Sequence, residues 1–229
     1  MKILALTYTP IIMEKRTYQN AIQQYSETKP FHDGSIRPTP SFDKSLPGIS
    51  SMCRKEKLVN QVEAGDIILY FTNAKDYECE KYKSIGRNHS RLTAILKVEK
   101  IFKGTNSIHA HQQANEYYER KGIESPNNCL AGNNISPRKE GCGIIGRNQT
   151  YQSTIKGYDA RVKDCETYVV TSYIYSNFTT PVPFLKEDYE KILNRKLKKN
   201  SPFNQSYIKL DEDEYKAILD HIKSFGEHV

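Results

Sequence analysis

Basic and aromatic side chains are interleaved through the first 185 residues, and together they could bind a nucleic acid or a nucleotide. Cations hold phosphates, and aromatic faces stack bases. The chain carries 16 Tyr and 8 Phe but no Trp, and its net charge is +7. Lys and Arg equal Asp and Glu in number from residue 186 onward, so the positive excess lies in residues 1–185. Scattered surface lysines and core tyrosines would give a similar composition. The composition therefore favours a nucleic acid or nucleotide as the ligand but does not establish it.

Motifs of the well-known nucleotide-dependent enzymes are missing from the sequence. It has no GxxxxGK[ST] phosphate loop, no GxSxG elbow and no HExxH, and its GxGxxG match at residues 141–146 neither follows a strong strand nor opens a helix. Asp66 with Glu99-Lys100 is only a partial match to a nuclease pattern, because the usual spacer before the lysine is absent. The sequence therefore favours a binding protein over an enzyme. A metal-dependent nuclease or a nucleotide hydrolase is the alternative.

The five cysteines are widely spaced and predict reduced thiols in a cytoplasmic protein. An odd count without a CxxC pair is unlike a secreted disulfide framework. Zinc would require Cys53, Cys129 or Cys142 to converge with a histidine, and His109 and His111 have poor spacing for chelation on a helix. We expect no cofactor and no metal. The apolar N-terminal stretch is too short for a signal peptide, and no apolar run is long enough for a transmembrane helix.

Apolar periodicity predicts the elements that must position any site. Strands are predicted at residues 3–9, 67–72, 91–102 and 168–175. Helices are predicted at residues 18–25, 107–122, 186–199 and 211–225, and breaker-rich loops at 31–51 and 123–150. The Gly65-Asp66 turn leads into the second strand, whose unbroken apolar run predicts burial on both faces. Strict alternation in the third strand puts four residues on one side, namely Leu92, Ala94, Leu96 and Val98.

Two caps are predicted for the helix at 107–122. Ser107 is a plausible N-cap, and Gly122 occupies the position after the C-cap.

Three segments in order, 46–54, 62–72 and 91–98, resemble parts of PUA-like domains. The second is similar to the strand that follows a Gly-Asp turn in that superfamily, and the third is similar to its next long barrel strand. The loop at 127–130 follows a Tyr-rich helix and resembles nucleotide-modification-associated domain families of the same superfamily. The resemblance covers about residues 1–175.

The resemblance implies an α+β fold, a mostly antiparallel β-barrel flanked by helices, with long loop insertions and two C-terminal helices. Residues 1–185 would form the PUA-like domain that binds nucleic acid or nucleotide, and residues 186–229 a helical extension packed on it. EVE, ASCH and YTH domains place a base in a pocket between barrel and loops. The expected function is non-catalytic binding of a modified base or nucleotide, in DNA or RNA, in a bacterial or phage defence or nucleotide-modification system.

A third interpretation is a protein-interaction module in defence or counter-defence. The C-terminal helices would then bind the protein partner, and no membrane partner is expected.

Ten positions are predicted to form the base-binding pocket. Short polar side chains and Arg54 follow the Pro47-Gly48 turn, where the guanidinium could pair with a phosphate. Aromatic and hydroxyl groups lie at the end of the strand that follows the Gly-Asp turn and at the end of the first strand. Two asparagine amides could form hydrogen bonds with the edge of a base. The full set is Tyr8, Thr9, Ser50, Ser51, Cys53, Arg54, Tyr70, Thr72, Asn128 and Asn133.

Overall fold

The structure is a computed structural model. It describes residues 1–8, 42, 44–50, 58–74, 79–86, 88–124, 163, 166–199, 201–202 and 207–229. The strands are β1 (Ile3–Tyr8), β2 (Gly48–Ser50), β3 (Ile67–Asn73), β4 (Ser90–Lys103), β5 (Thr167–Ser176), β6 (Val182–Phe184) and β7 (Ile208–Leu210). The α-helices are α1 (Ser107–Arg120), α2 (Lys186–Ile192) and α3 (Glu212–Ser224), and short 3-10 helices lie at Val59–Gln61 and Glu80–Ile85. The predicted helix at 18–25 falls outside the described residues.

The strands form one seven-stranded sheet in the order β2-β5-β4-β3-β1-β7, with β6 paired to β4. All neighbours are antiparallel except β1 and β3, which run parallel from Ile3 beside Ile67 to Tyr8 beside Thr72. The expected mostly antiparallel sheet with flanking helices is confirmed. The expected closed barrel is wrong: among the described strands β2 pairs only with β5 and β7 only with β1, so the sheet is open. A barrel closes only when its two edge strands pair with each other.

The Gly-Asp turn has a structural role that sets the parallel pair. Gly65 has φ +90°, which glycine adopts without strain. The buried Asp66 carboxylate accepts hydrogen bonds from the backbone amides of Lys2, at 2.6 Å, and Glu63, at 2.8 Å. The turn before β3 is thereby joined to the residue before β1. β3 then runs through the middle of the sheet, and its first six residues are buried, as the sequence predicts.

Two cores cover the two faces of the sheet. On the face that we call the helical face, α2 and α3 bury Tyr189, Leu193, Ile218 and Ile222 against β1, β3, β4 and β6. The opposite face, which we call the aromatic face, includes Leu4, Leu6, Tyr8, Ile68, Tyr70, Ala94 and Leu96, and is covered by Phe42, Leu58, Val59 and Val62. α1 closes a third cluster at the far end of β4 and β5.

A β-bulge changes which residues of β4 share a face. Tyr70 lies opposite Ala94 but Phe71 lies opposite Leu92, so Thr93 is the extra residue on β4. Leu92 therefore packs in the core of the helical face, while Ala94, Leu96 and Val98 pack on the aromatic face. The strict alternation predicted for these four residues is wrong at Leu92, because one inserted residue reverses every side chain beyond it.

The ends of the helices differ in part from the sequence prediction. Asn106, not Ser107, caps α1, because its side-chain oxygen accepts from the His109 amide at 2.9 Å. Gly122 follows the C-cap with φ +64°, as predicted. α2 ends at Ile192, seven residues before the predicted end, and Asn194 adopts a left-handed φ of +44° there. The three-residue strand β7 then joins β1, and it is too short for periodicity to reveal.

Candidate functional site

The candidate site lies where the carboxyl ends of the parallel strands β1 and β3 meet the beginning of β4. Tyr8, Thr72 and Arg91 lie opposite one another in register on these three strands. Directly paired residues share a face, and Tyr70 precedes Thr72 by two positions, so all four lie on the aromatic face. Carboxyl ends of neighbouring parallel strands are a common location for ligand sites in α/β sheets.

Three rings form the aromatic half of the site. Tyr70 makes edge-to-face contacts with Phe42, at 5.4 Å between centroids and 87°, and with Tyr8, at 5.8 Å and 79°. Tyr8 and Phe42 are 5.8 Å apart and tilted by 53°. This geometry is favourable for aromatic pairs. Each ring is at most 1% exposed, so none of them offers an open face to solvent.

The bulge residue Thr93 holds Tyr8 in place. The Tyr8 hydroxyl donates to Thr93 Oγ1 at 3.1 Å, and the Thr93 hydroxyl donates to the Tyr70 carbonyl oxygen at 2.9 Å. Because Thr93 is fully buried, this short chain joins β1, β3 and β4 without help from water. The bulge thus places a hydroxyl where strict alternation would not.

The polar half of the site contains a buried cation and a buried imidazole. Arg91 and His89 are each 3% exposed, and Arg91 Nε donates to His89 Nε2 at 3.2 Å. Both lie on the aromatic face, since Ser90 between them bonds to Tyr189 on the helical face. Burial, and secondly the charge of Arg91, lower the pKa of His89 to about 4, against a weaker opposing effect of the Gly86 backbone. The imidazole is therefore neutral near pH 7.

Two buried polar atoms of this cluster have no hydrogen-bond partner among the described residues. They are Thr72 Oγ1 and His89 Nδ1. A buried polar group without a partner destabilises the fold by about 1–3 kcal/mol. Such groups are few in folded proteins, and they concentrate where function overrides stability. Thr7 Oγ1 and Tyr82 Oη are further examples among the described residues, so what distinguishes this part of the aromatic face is that two such atoms, one on β3 and one just before β4, lie beside a buried arginine.

The structure brings together three of the ten predicted site residues, namely Tyr8, Tyr70 and Thr72. Ser50 lies on β2, beyond β5 in the sheet, and pairs with Tyr168, which lies opposite Phe102 near the other end of β4 from the cluster. Thr9, Ser51, Cys53, Arg54, Asn128 and Asn133 lie outside the described residues. Sequence reasoning missed His89 and Arg91. The signal that could have indicated them is a His-x-Arg pair at the start of an otherwise apolar strand.

In the described part of the chain, no arrangement of side chains supports the metal site or the nuclease. No group of three or more His, Cys, Asp or Glu side chains there could hold a metal ion. His109 is exposed, whereas His111 is buried with its ring 4.7 Å from that of Tyr168. The Asp66 carboxylate is bound by backbone amides, and the Glu99 carboxylate accepts from the Ser172 hydroxyl at 2.6 Å.

Within the same residues, no helix is both long and apolar enough to cross a membrane. Comparison of the chain with family models, with curated proteins and with solved structures finds no match. The chemistry of the cluster is therefore the basis on which function is assigned below.

Thr72→Val is expected to stabilise the protein. Valine has nearly the same shape but no hydroxyl, so the substitution removes a buried group without a partner, which we expect to raise the free energy of unfolding by about 1 kcal/mol. In a chain of this size the melting temperature would rise by about 2–4 °C. The matched control is Thr171→Val, because the buried Thr171 hydroxyl donates to the Pro47 carbonyl at 2.7 Å and its loss should destabilise by about 1 kcal/mol. Equal losses in the two variants, measured by thermal and urea unfolding, would contradict the assignment.

Proposed function

We propose that this chain binds a modified base or a nucleotide, without converting it, at the carboxyl ends of β1 and β3. The observation that carries the proposal is a pair of buried polar atoms, Thr72 Oγ1 and His89 Nδ1, that have no partner in normal hydrogen-bonding geometry among the described residues and lie beside Arg91 and an aromatic cluster. Base recognition needs a π surface together with polar groups for the base edge. The cluster contains groups of both kinds on β1, on β3 and at the beginning of β4. A PUA-like relationship and a role in defence or nucleotide modification are parts of this proposal.

Binding without catalysis fits the ionisation of the cluster better than hydrolysis does. A general acid or base works best with a pKa near the operating pH. The pKa of His89, at about 4, lies well below that range. Arg91 keeps its charge throughout, so it can hold a ligand but cannot exchange a proton. The cluster is thus suited to orienting a ligand by hydrogen bonds.

The burial of the cluster has a kinetic consequence. Tyr8, Thr72 and Arg91 are each at most 3% exposed, so a ligand reaches them only when the residues covering the aromatic face move aside. Phe42 belongs to that cover and contacts both Tyr70 and Phe178. Binding that requires a conformational change associates more slowly than ordinary docking. We therefore expect slow association, with a rate that saturates at high ligand concentration.

The experiment is fluorescence polarisation with modified and unmodified oligonucleotides over a series of salt concentrations. We expect tighter binding of one modified oligonucleotide and a loss of about tenfold or more in Thr72→Val, since a site built around hydrogen bonds discriminates strongly when one is removed. Thr171→Val, which lies outside the cluster, should bind within about twofold of the wild type. Weak, equal binding of all oligonucleotides, unchanged by Thr72→Val, would overturn the proposal.

A protein partner on the C-terminal helices would have to use their outer surfaces. The apolar residues Tyr189, Ile218 and Ile222 are already buried against the sheet. Removing residues 186–229, as a test for a docking surface, would also remove β7 and uncover the helical face. Charge substitutions on the outer face of α3, such as Lys216→Glu, are therefore the appropriate variants for this third interpretation.

A further inference from the structure

We infer that the ligand of the candidate site presents a carbonyl oxygen to Thr72 and His89, so that the site selects keto bases over amino bases. The inference rests on the proposed function and deepens it. Keto bases here are the purines hypoxanthine and guanine and their modified forms, and the amino base is adenine; pyrimidines are not compared, because uracil and cytosine both carry a C2 carbonyl. The argument depends on which ring nitrogen of His89 carries the proton.

The hydrogen bond from Arg91 assigns that proton. A guanidinium only donates, so His89 Nε2, which receives the Arg91 Nε–H at 3.2 Å, must be the acceptor. In a neutral imidazole the other nitrogen then carries the hydrogen. His89 Nδ1 is therefore a donor, and no acceptor among the described residues lies within normal hydrogen-bonding geometry of it; the Gly86 backbone contributes only a weak hydrogen bond, which opposes the lowering of the His89 pKa. The imidazole is almost completely buried, so solvent does not supply one.

The Thr72 hydroxyl lies on the same face and adjoins this donor diagonally. Thr72 is directly opposite Arg91, and His89 precedes Arg91 by two residues, which places diagonal Cα atoms about 7–8 Å apart. The hydroxyl is fully buried and its oxygen has no partner among the described residues. A hydroxyl can rotate to donate toward the same atom that accepts from His89 Nδ1. One oxygen with two lone pairs, held between the strands, satisfies both groups.

The side chains of this polar half are rich in donors. Arg91 and His89 Nδ1 only donate, and the Thr72 hydroxyl alone can also accept. The exocyclic amino group of adenine would set N–H against N–H in a buried site and leave the His89 donor unsatisfied. A base carbonyl oxygen would instead accept hydrogen bonds from His89 Nδ1 and the Thr72 hydroxyl. A phosphate oxygen is also an acceptor, but full burial disfavours a group with more than one charge, whereas neighbouring Tyr8 and Tyr70 rings suit a base.

The ligand experiment compares nucleosides whose bases differ in the hydrogen-bonding groups along one edge. Inosine is compared with adenosine, each with and without a 5′-phosphate, by isothermal titration calorimetry. We expect the wild type to bind each keto nucleoside about tenfold or more tightly than its amino partner. In His89→Leu, and separately in Thr72→Val, the preference should fall to about threefold or less, while Thr171→Val should retain it.

A second measurement needs no ligand and does not depend on a variant that folds. Long-range ¹H–¹⁵N correlation spectra of the wild type at pH 7 report the tautomer of each histidine. The expected result is a neutral His89 with its hydrogen on Nδ1, and a hydrogen on Nε2 would overturn the inference.

The outcomes separate this inference from the function on which it rests. Nucleoside binding with no keto preference, or with the opposite one, would overturn the inference and leave the proposed function standing. Binding that requires the 5′-phosphate, and that inorganic phosphate displaces, would overturn the base-edge assignment in favour of a phosphate oxygen. Failure of the wild type to bind any nucleoside or oligonucleotide would overturn both.

Discussion

Gly48→Ala is expected to lower the free energy of unfolding by about 3 kcal/mol. A Cβ at this position would lie 2.6 Å from Tyr168 Cζ and even closer to the phenolic oxygen. Tyr168 is fully buried against Tyr118 and Ala110 beneath α1, so its ring has no free space into which to turn. Relief requires β2 to separate from β5, which breaks the pairing of Gly48 with Val170.

The loss of stability in Gly48→Ala should be accompanied by weaker ligand binding at the candidate site. Phe42 precedes Gly48 by six residues, and its carbonyl oxygen accepts a hydrogen bond from the Tyr173 hydroxyl at 2.9 Å. Phe42 in turn packs on Tyr8 and Tyr70. Displacing β2 therefore loosens the ring that completes the aromatic half of the site.

Urea unfolding and thermal melting measure the effect, with an expected fall in melting temperature of about 6–12 °C. Gly226→Ala is the matched control, because a Cβ there meets nothing within 4 Å and the cost is only the backbone strain of φ +79°, about 1 kcal/mol. The double variant Gly48→Ala/Tyr168→Phe should recover part of the loss, since it removes the closest clashing atom. A double variant no more stable than the sum of the single changes would show that the clash with Tyr168 is not the cause.

His89 should make the protein about 3 kcal/mol less stable at pH 4 than at pH 7. Burial and the charge of Arg91 lower the pKa of His89 to about 4 in the folded state, against about 6.5 in the unfolded chain. Between these two values the unfolded chain binds more protons than the folded protein does. Stability from this group is thus complete above pH 6.5 and is lost as the pH falls toward 4.

The measurement is urea unfolding at intervals from pH 4 to pH 7.5, with His89→Gln compared with the wild type. Glutamine does not titrate, so the difference in unfolding free energy between wild type and variant should change by about 3 kcal/mol across this window. The exposed His228→Gln variant controls for general effects of acid and should follow the wild type. Parallel curves for the wild type and His89→Gln would show that His89 is not buried as a neutral group.

Sequence patterns located the elements whose signals are local. The runs that became β1, β3, β4 and β5, and the stripes that became α1 and α3, are visible because side-chain periodicity depends only on neighbouring residues. The same-face relation of Tyr70 and Thr72 follows from alternation within one strand. The Gly-Asp turn was also visible, although its role in joining Lys2 to the turn before β3 was not.

Only the tertiary structure decided how these elements combine. The open sheet, the parallel pairing of β1 with β3 and the joining of β7 to β1 all depend on contacts between residues far apart in the chain. The bulge at Thr93, which reversed the side assigned to Leu92, arises from a mismatch between two strands and leaves no mark in either alone. The same is true of the site: Tyr8, Thr72 and Arg91 are opposite one another because three strands pair in one register. Residue types set what chemistry this chain can perform, but pairing between distant segments decides which residues meet to perform it.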